Sequence, residues 1–130
     1  MQISMAPLEG ITGFVFRNAY ENYYGGVEKY FTPFITPHTK KNMDAREKRD
    51  ILPENNKGIN LVPQVMTNRI EDLISISKEL SGLGYTEVNL NLGCPSGTVT
   101  AKGKGAGFLK DPDALIRFFD TYFSQSEVPL

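Results

Sequence analysis

Asn60-Leu61-Val62-Pro63-Gln64-Val65-Met66 and Glu87-Val88-Asn89-Leu90-Asn91-Leu92 frame the stretch that decides the fold. Each is a short apolar run of strand length. Between them Ile70, Leu73, Ile74, Ile76 and Leu80 recur as one broad stripe over residues 69–80, the pattern of a helix with a single buried face. Thr67 or Asn68 is placed to cap its start, and Gly82 and Gly84 to stop it. A strand, a helix and a second strand in that order predict a parallel pair joined by a helical crossover.

The same alternation extends outward in both directions. Residues 3–7 read as a short buried strand that ends in Leu8-Glu9-Gly10. Thr12 is placed to cap a helix reaching about residue 24, with Phe14, Phe16 or Arg17, Tyr20 and Tyr23 near helical spacing. Gly25-Gly26 stops it. Residues 29–32 begin a second strand, which Pro33 interrupts and Thr36-Pro37 ends. Residues 44–51 predict a further helix, and Asn55-Asn56-Lys57-Gly58 a turn. Downstream, Asp111 and Pro112 open a last helix whose apolar side carries Ala114, Leu115, Phe118, Phe119 and Tyr122. Val128-Pro129-Leu130 reads as the start of a fifth strand.

Strand–helix alternation places the chain in the α/β class with a parallel sheet. Two architectures compete. A doubly wound domain carries phosphate-binding glycines after its first strand, where this chain has Pro7-Leu8-Glu9-Gly10. A TIM (β/α)8 barrel sets its chemistry on many strand ends, all on one face. The unusual residues here follow strands one, three and four, which favours the barrel. A complete barrel takes about 250 residues, so residues 1–130 are expected to hold only about the first four βα units, the N-terminal half.

Composition bounds the function classes. At 40% apolar and 22% charged residues, the chain is an ordinary globular domain. No apolar run reaches membrane-spanning length. The first five residues lack the basic start and apolar stretch of a signal peptide, so the cytoplasm is the expected compartment. The formal net charge of -1 gives no global attraction to nucleic acid, and such a partner needs local basic patches or another domain. The single cysteine, Cys94, excludes an internal disulfide and a cysteine metal cluster. His38 is the single histidine, which argues against a multi-histidine metal site.

The strongest chemical signal is Asn89-Leu90-Asn91-Leu92-Gly93-Cys94-Pro95. Asparagines at i and i+2 share one side of a strand, and inward amides can read the N–H and C=O edges of a flat heterocycle. Cys94 follows at the strand end. A free thiol with pKa about 8.5 is mostly protonated at neutral pH, so without an activating partner Cys94 suits a proton donor better than a thiolate nucleophile. A small buried core cysteine is the competing reading. Residues 96–107 hold four glycines with Lys102 and Lys104, read either as a mobile RNA-facing lid or as a solvated loop. Gln64, inside an apolar strand, needs hydrogen-bond partners if buried; a flavin ring or the backbone would supply them. Pro7, Leu8 and Glu9 line a flat cofactor or form a simple turn. Arg17 reads as a helix-surface residue or a structural salt bridge before a phosphate contact. Lys40, Lys41, Arg46, Lys48 and Arg49 read as a solvated face before phosphate contacts.

Several of these stretches match known motifs. Met5-Ala6-Pro7-Leu8-Glu9-Gly10-Ile11-Thr12 is an Ala-Pro opening followed by an acidic residue and Gly-Ile. Phe16-Arg17, Pro63-Gln64-Val65, the run Asn91-Leu92-Gly93-Cys94-Pro95 with Val99, Gly105-Ala106 and Leu109, and Asp111-Pro112 follow at matching places. On these residues nearly the whole chain resembles the tRNA-dihydrouridine synthases. Gly107-Phe108 departs from the small or aliphatic residues usual there.

The resemblance implies a barrel with FMN at its C-terminal face. It implies FMN contacts at Pro7, Leu8 and Glu9, and Gln64 at the isoalloxazine ring. Asn91 would help hold the target uracil, and Cys94 would be the general acid; Lys102, from the reading of its loop, is the expected contact to the RNA substrate. The implied reaction is reduction of uridine to dihydrouridine in tRNA with NADPH as reductant, the base leaving its stack to reach the flavin. The flavin carries the electron chemistry and the protein supplies orientation and a proton. The resemblance places a flavin-contacting lysine, the FMN phosphate site and a tRNA-binding helical domain beyond Leu130. The chain alone is therefore expected to bind FMN weakly, to be inactive, and to self-associate through its open strands.

Two other readings stand beside this one. One is an FMN barrel of the dihydroorotate dehydrogenase type, acting on a free pyrimidine. The other is a non-catalytic half-barrel whose apolar face serves assembly.

Overall fold

The structure, a computed structural model, describes residues 2–38 and 41–130. Its strands are β1 (Ser4–Met5), β2 (Lys29–Phe31), β3 (Leu61–Val62), β4 (Gln64–Val65) and β5 (Asn89–Leu90). Its helices are α1 (Phe14–Tyr23), α2 (Ala45–Ile51), α3 (Ile70–Gly82), α4 (Gly97–Thr100) and α5 (Pro112–Gln125), with 3-10 turns at Pro53–Asn55 and Gly105–Lys110. No helix among the described residues is long and apolar enough to cross a membrane.

Every strand pair is parallel. β1 pairs with β2 through Ser4 opposite Lys29, and β2 with β3 through Tyr30 opposite Leu61. β4 pairs with β5 through Gln64 opposite Asn89. Only Pro63 separates β3 from β4, and a bridge between Ile35 and Val65 carries the end of β2 alongside β4. The strands thus lie side by side in chain order. A doubly wound sheet would instead hold β1 between two neighbours; here β1 pairs with β2 alone among the described strands.

The break at Pro63 has a local cause. Proline has no N–H to give to the ladder. From Phe31 to Ile35 the chain takes one more step than from Val62 to Val65, so the β2 side bulges. The Gln64 N–H would be stranded by that bulge, and the Thr32 hydroxyl accepts it at 2.9 Å. Regular pairing resumes where Ile35 N–H donates to the Gln64 carbonyl at 2.8 Å.

Alternation along β4 and β5 sorts the side chains. Val65, Val88 and Leu90 pack on the helical side, against Leu73, Ile76 and Leu80 of α3 and Phe118 and Tyr122 of α5. Gln64, Asn89 and Asn91 therefore point to the opposite face. The predicted stripes of α3 and α5 are the buried ones. Asp111 caps α5 by accepting Ala114 N–H at 2.9 Å. Asp44 and Glu47 form a reciprocal capping box at the start of α2. Residues 128–130 form no strand, yet Val88 N–H donates to the Pro129 carbonyl at 3.0 Å, and they run beside the start of β5.

Helix α1 departs from its expected pattern. Tyr23 is 85% exposed and Arg17 is the residue of α1 that is fully buried. Phe16 stacks on Tyr20, and Tyr20 meets Tyr24 at a tilt, with centroids 6.0 and 5.1 Å apart. Helical spacing grouped Phe14, Phe16 or Arg17, Tyr20 and Tyr23; of these the structure buries Arg17, and a buried polar network holds the helix. Thr12 does not cap it. Its hydroxyl closes the preceding loop on Leu8, the N-cap is Gly13, and Asp50 of α2 accepts Phe14 N–H at 2.6 Å.

Candidate active site

Three amides form a line across the β4–β5 boundary. Asn91 Nδ2 donates to Gln64 Oε1 at 2.8 Å, and Gln64 Nε2 donates to Asn89 Oδ1 at 2.8 Å. Asn91 Oδ1 accepts the N–H groups of Gly93 at 3.1 Å and Cys94 at 2.9 Å. Gln64 is 9% exposed, so a buried amide without partners would cost about 1–3 kcal/mol. Its side-chain partners within the protein are the two asparagines that the i, i+2 spacing set on the same side.

Cys94 is half-buried rather than sunk in the core. Its thiol makes no hydrogen bond among the described residues, and His38 is exposed and engaged through its backbone with Lys41. No group of three His, Cys, Asp or Glu side chains among the described residues could hold a metal ion.

The loop after Cys94 is folded rather than open. It contains α4 and the 3-10 helix Gly105–Lys110, and the two pack against each other. Ala106 N–H donates to the Cys94 carbonyl at 3.1 Å. A Cβ on Gly105, whose φ is +54°, would lie 2.7 Å from the Cys94 carbonyl oxygen; one on Gly107 would lie 2.5 Å from that of Thr100. Gly105 and Gly107 permit close backbone approach. The Lys102 side chain is exposed, and its carbonyl accepts Asn68 Nδ2 at 3.0 Å.

At the end of β1 the turn reading prevails for the Leu8 backbone. Leu8 N–H donates to Thr12 Oγ1 at 2.8 Å, and its carbonyl accepts Ile11 and Thr12 N–H, each at 3.0 Å. The Leu8 side chain is 59% exposed. Glu9 pairs with Arg46 at 2.9 Å, and that partner raises the Arg46 pKa. No hydrogen bond among the described residues joins residues 7–9 to the amide line. Lys40 lies outside the described residues.

Arg17 is buried, so it forms the structural salt bridge and is not a helix-surface residue. Its Nη1 donates to the Thr12 carbonyl at 2.9 Å and pairs with Asp50 Oδ2 at 3.0 Å; Nη2 reaches the Asp50 carbonyl at 2.8 Å and Asn56 Oδ1 at 3.0 Å. One guanidinium thus ties the β1–α1 loop to α2 and the turn after it. Tyr85 hydrogen-bonds the Ile51 carbonyl beside this cluster. Burial raises its hydroxyl to about 12, with Arg17 opposing and Asp50 adding. Burial, and then the Glu21 carboxylate that Tyr30 bonds at 2.6 Å, raise the Tyr30 pKa as well.

Sequence reasoning missed Thr32, Asp50 and Asn56. Thr32 had a signal: a hydroxyl residue before Pro33, across from a strand whose Pro63 removes a donor. Asp50 and Asn56 had none, because their partner Arg17 is more than 30 residues away in the chain.

Comparison with known proteins bears on this arrangement. The family model described as "Dihydrouridine synthase (Dus)" matches residues 4–130. A probable tRNA-dihydrouridine synthase of Staphylococcus aureus is 27% identical over 110 residues, 84% of this chain and 33% of that protein. Probable tRNA-dihydrouridine synthase 2 of Bacillus subtilis is 27% identical over 109 residues, 83% of this chain and 33% of its own length. The chain spans about a third of the length of these curated relatives. With the family model matching almost end to end, across the amide line and the cysteine loop alike, the chain belongs to the dihydrouridine synthase family.

Proposed function

We propose that this chain forms part of a cytoplasmic enzyme that reduces uridine to dihydrouridine in tRNA, with FMN as cofactor and NADPH as reductant. The strands laid in sequence order support its reading as the first part of a (β/α)8 barrel, with the amide line inside and Cys94 at the C-terminal rim. The relatives' names support the substrate.

The residues present fit a flavin ring. After its internal bonds Gln64 keeps one N–H on Nε2 and one lone pair on Oε1, a donor and an acceptor suited to the edge of an isoalloxazine. Asn89 Nδ2 has no partner among the described residues. Pro7, Leu8 and Glu9 would flank the ring. Since the Leu8 backbone is engaged, its exposed side chain is the part free to pack there. The chemistry a bound reduced flavin would supply here is a hydride for C6 of the uracil.

Cys94 gives its thiol proton to C5 on the opposite step, and solvent restores it. Asn91 orients the acid by holding the Cys94 N–H and meets the base with the remaining hydrogen of Nδ2. Lys102, exposed beside Cys94's loop, meets RNA phosphate. One observation carries the reading: Asn91 grips the backbone of Cys94 with its oxygen and Gln64 with its nitrogen, joining the acid to the ring contact.

The test is Cys94→Ala in the full-length protein, with dihydrouridine in tRNA measured by mass spectrometry. Loss of a general acid lowers the rate by about 10²–10⁴-fold while the melting temperature holds. Full activity with lowered stability would make Cys94 a packing residue and end the proposal.

A further inference from the structure

We infer that Asn89 is a positioning residue for Gln64, and that the three amides form a relay whose direction is set by the backbone of Cys94. The inference rests on the proposed role of Gln64 as the ring contact. A carboxamide can turn over and exchange its donor for its acceptor. A ring contact works in one orientation only, so something must choose it.

The choice begins at Asn91. Two N–H groups, of Gly93 and Cys94, point at one of its atoms, and only the oxygen can stand there. Nδ2 must then face Gln64, so Oε1 must stand opposite it at 2.8 Å. Nε2 is left to face Asn89, whose Oδ1 accepts it at 2.8 Å. A turned-over Gln64 would set nitrogen against nitrogen at Asn91, losing that hydrogen bond for a repulsion, so Asn91 chooses the orientation. Asn89 supplies the acceptor that holds Nε2 once the orientation is chosen. Without Asn89, Gln64 is held at one end only.

Register makes the contact possible. Gln64 and Asn89 are direct partners in the β4–β5 pair, on the face away from the helical core. Thr32 fixes the main chain of Gln64 where Pro63 and the bulge have removed a ladder bond. Thr32 and Asn89 thus hold the backbone and the side chain of one residue. Asn89 acts through its oxygen, and its free Nδ2 is not required.

Asn89→Asp, Asn89→Leu and Gln64→Leu, singly and with the Leu changes combined, test this in the full-length protein. FMN affinity by fluorescence quenching and the position of the bound flavin's visible band are the readouts. Asn89→Asp keeps the acceptor, and affinity is expected within about threefold of wild type. Asn89→Leu removes it, and affinity is expected to fall about tenfold with a displaced band. Adding Asn89→Leu to Gln64→Leu is expected to change nothing further. Should Asn89→Leu not fold, Asn89→Ala removes the same acceptor with less bulk. Asn89→Asp as weak as Asn89→Leu would mean that Nδ2 itself meets the ligand, and overturns the inference. So does a normal affinity and band in Asn89→Leu when Gln64→Leu is impaired. If Gln64→Leu is itself normal, the ring-contact reading fails first.

Discussion

Gly105→Ala places a methyl group against the residue proposed as the acid. Gly105 has φ +54°, and a residue with a Cβ held in that left-handed region costs about 1–2 kcal/mol. The added carbon would lie 2.7 Å from the Cys94 carbonyl oxygen, 3.0 Å from Cys94 Cβ and 3.0 Å from Val99 Cγ1. The nearest of these is backbone, which no rotamer change can move aside. Overpacking of this kind costs about 1–3 kcal/mol. The two effects together come to about 2–5 kcal/mol, a large part of the 5–15 kcal/mol typical of a domain. Part of the strain is relieved by moving Cys94, because the Ala106 N–H bond to its carbonyl runs through the same spot. Urea unfolding followed by circular dichroism gives the stability, and dihydrouridine yield in the full-length protein gives the function. Gly97→Ala is the control: Gly97 opens α4 and a Cβ there meets nothing within 4 Å. Gly105→Ala as stable and as active as Gly97→Ala would refute the close-approach argument.

Arg17→Met removes the partner of a carboxylate that is 19% exposed and is expected to destabilise by about 3 kcal/mol or more in urea unfolding. Arg17→Lys should recover little of this, because one ammonium cannot span Thr12, Asp50 and Asn56 as the planar fork does. Tyr85 and Tyr30 have raised pKa values in the folded chain, so the native state holds their protons more tightly than the unfolded chain. Their contribution is whole below pH 10, the ordinary tyrosine value, and is lost as pH rises toward about 12 for Tyr85. Urea midpoints measured from pH 8 to 12 should be flat at first and then fall, and Tyr85→Phe should shallow the fall. A midpoint that rises above pH 10 would contradict the burial of both hydroxyls.

The sequence by itself determined the alternation of strands and helices, the buried stripes of α3 and α5, and the placement of two asparagines on one side of β5. Those features follow from periods of 3.6 and 2 and from local stop signals, which a neighbour in the chain can enforce. It also determined that a lone thiol follows that strand. Only the tertiary structure decided what the amides face, since Gln64 and Asn91 are 27 residues apart and meet by strand register alone. It decided too that α1 turns Arg17 inward and Tyr23 outward. Helical spacing cannot distinguish an apolar core from a polar network assembled by Asp50 and Asn56, because those partners arrive from another part of the chain. Local physics set the elements, and long-range pairing set which side chains they share.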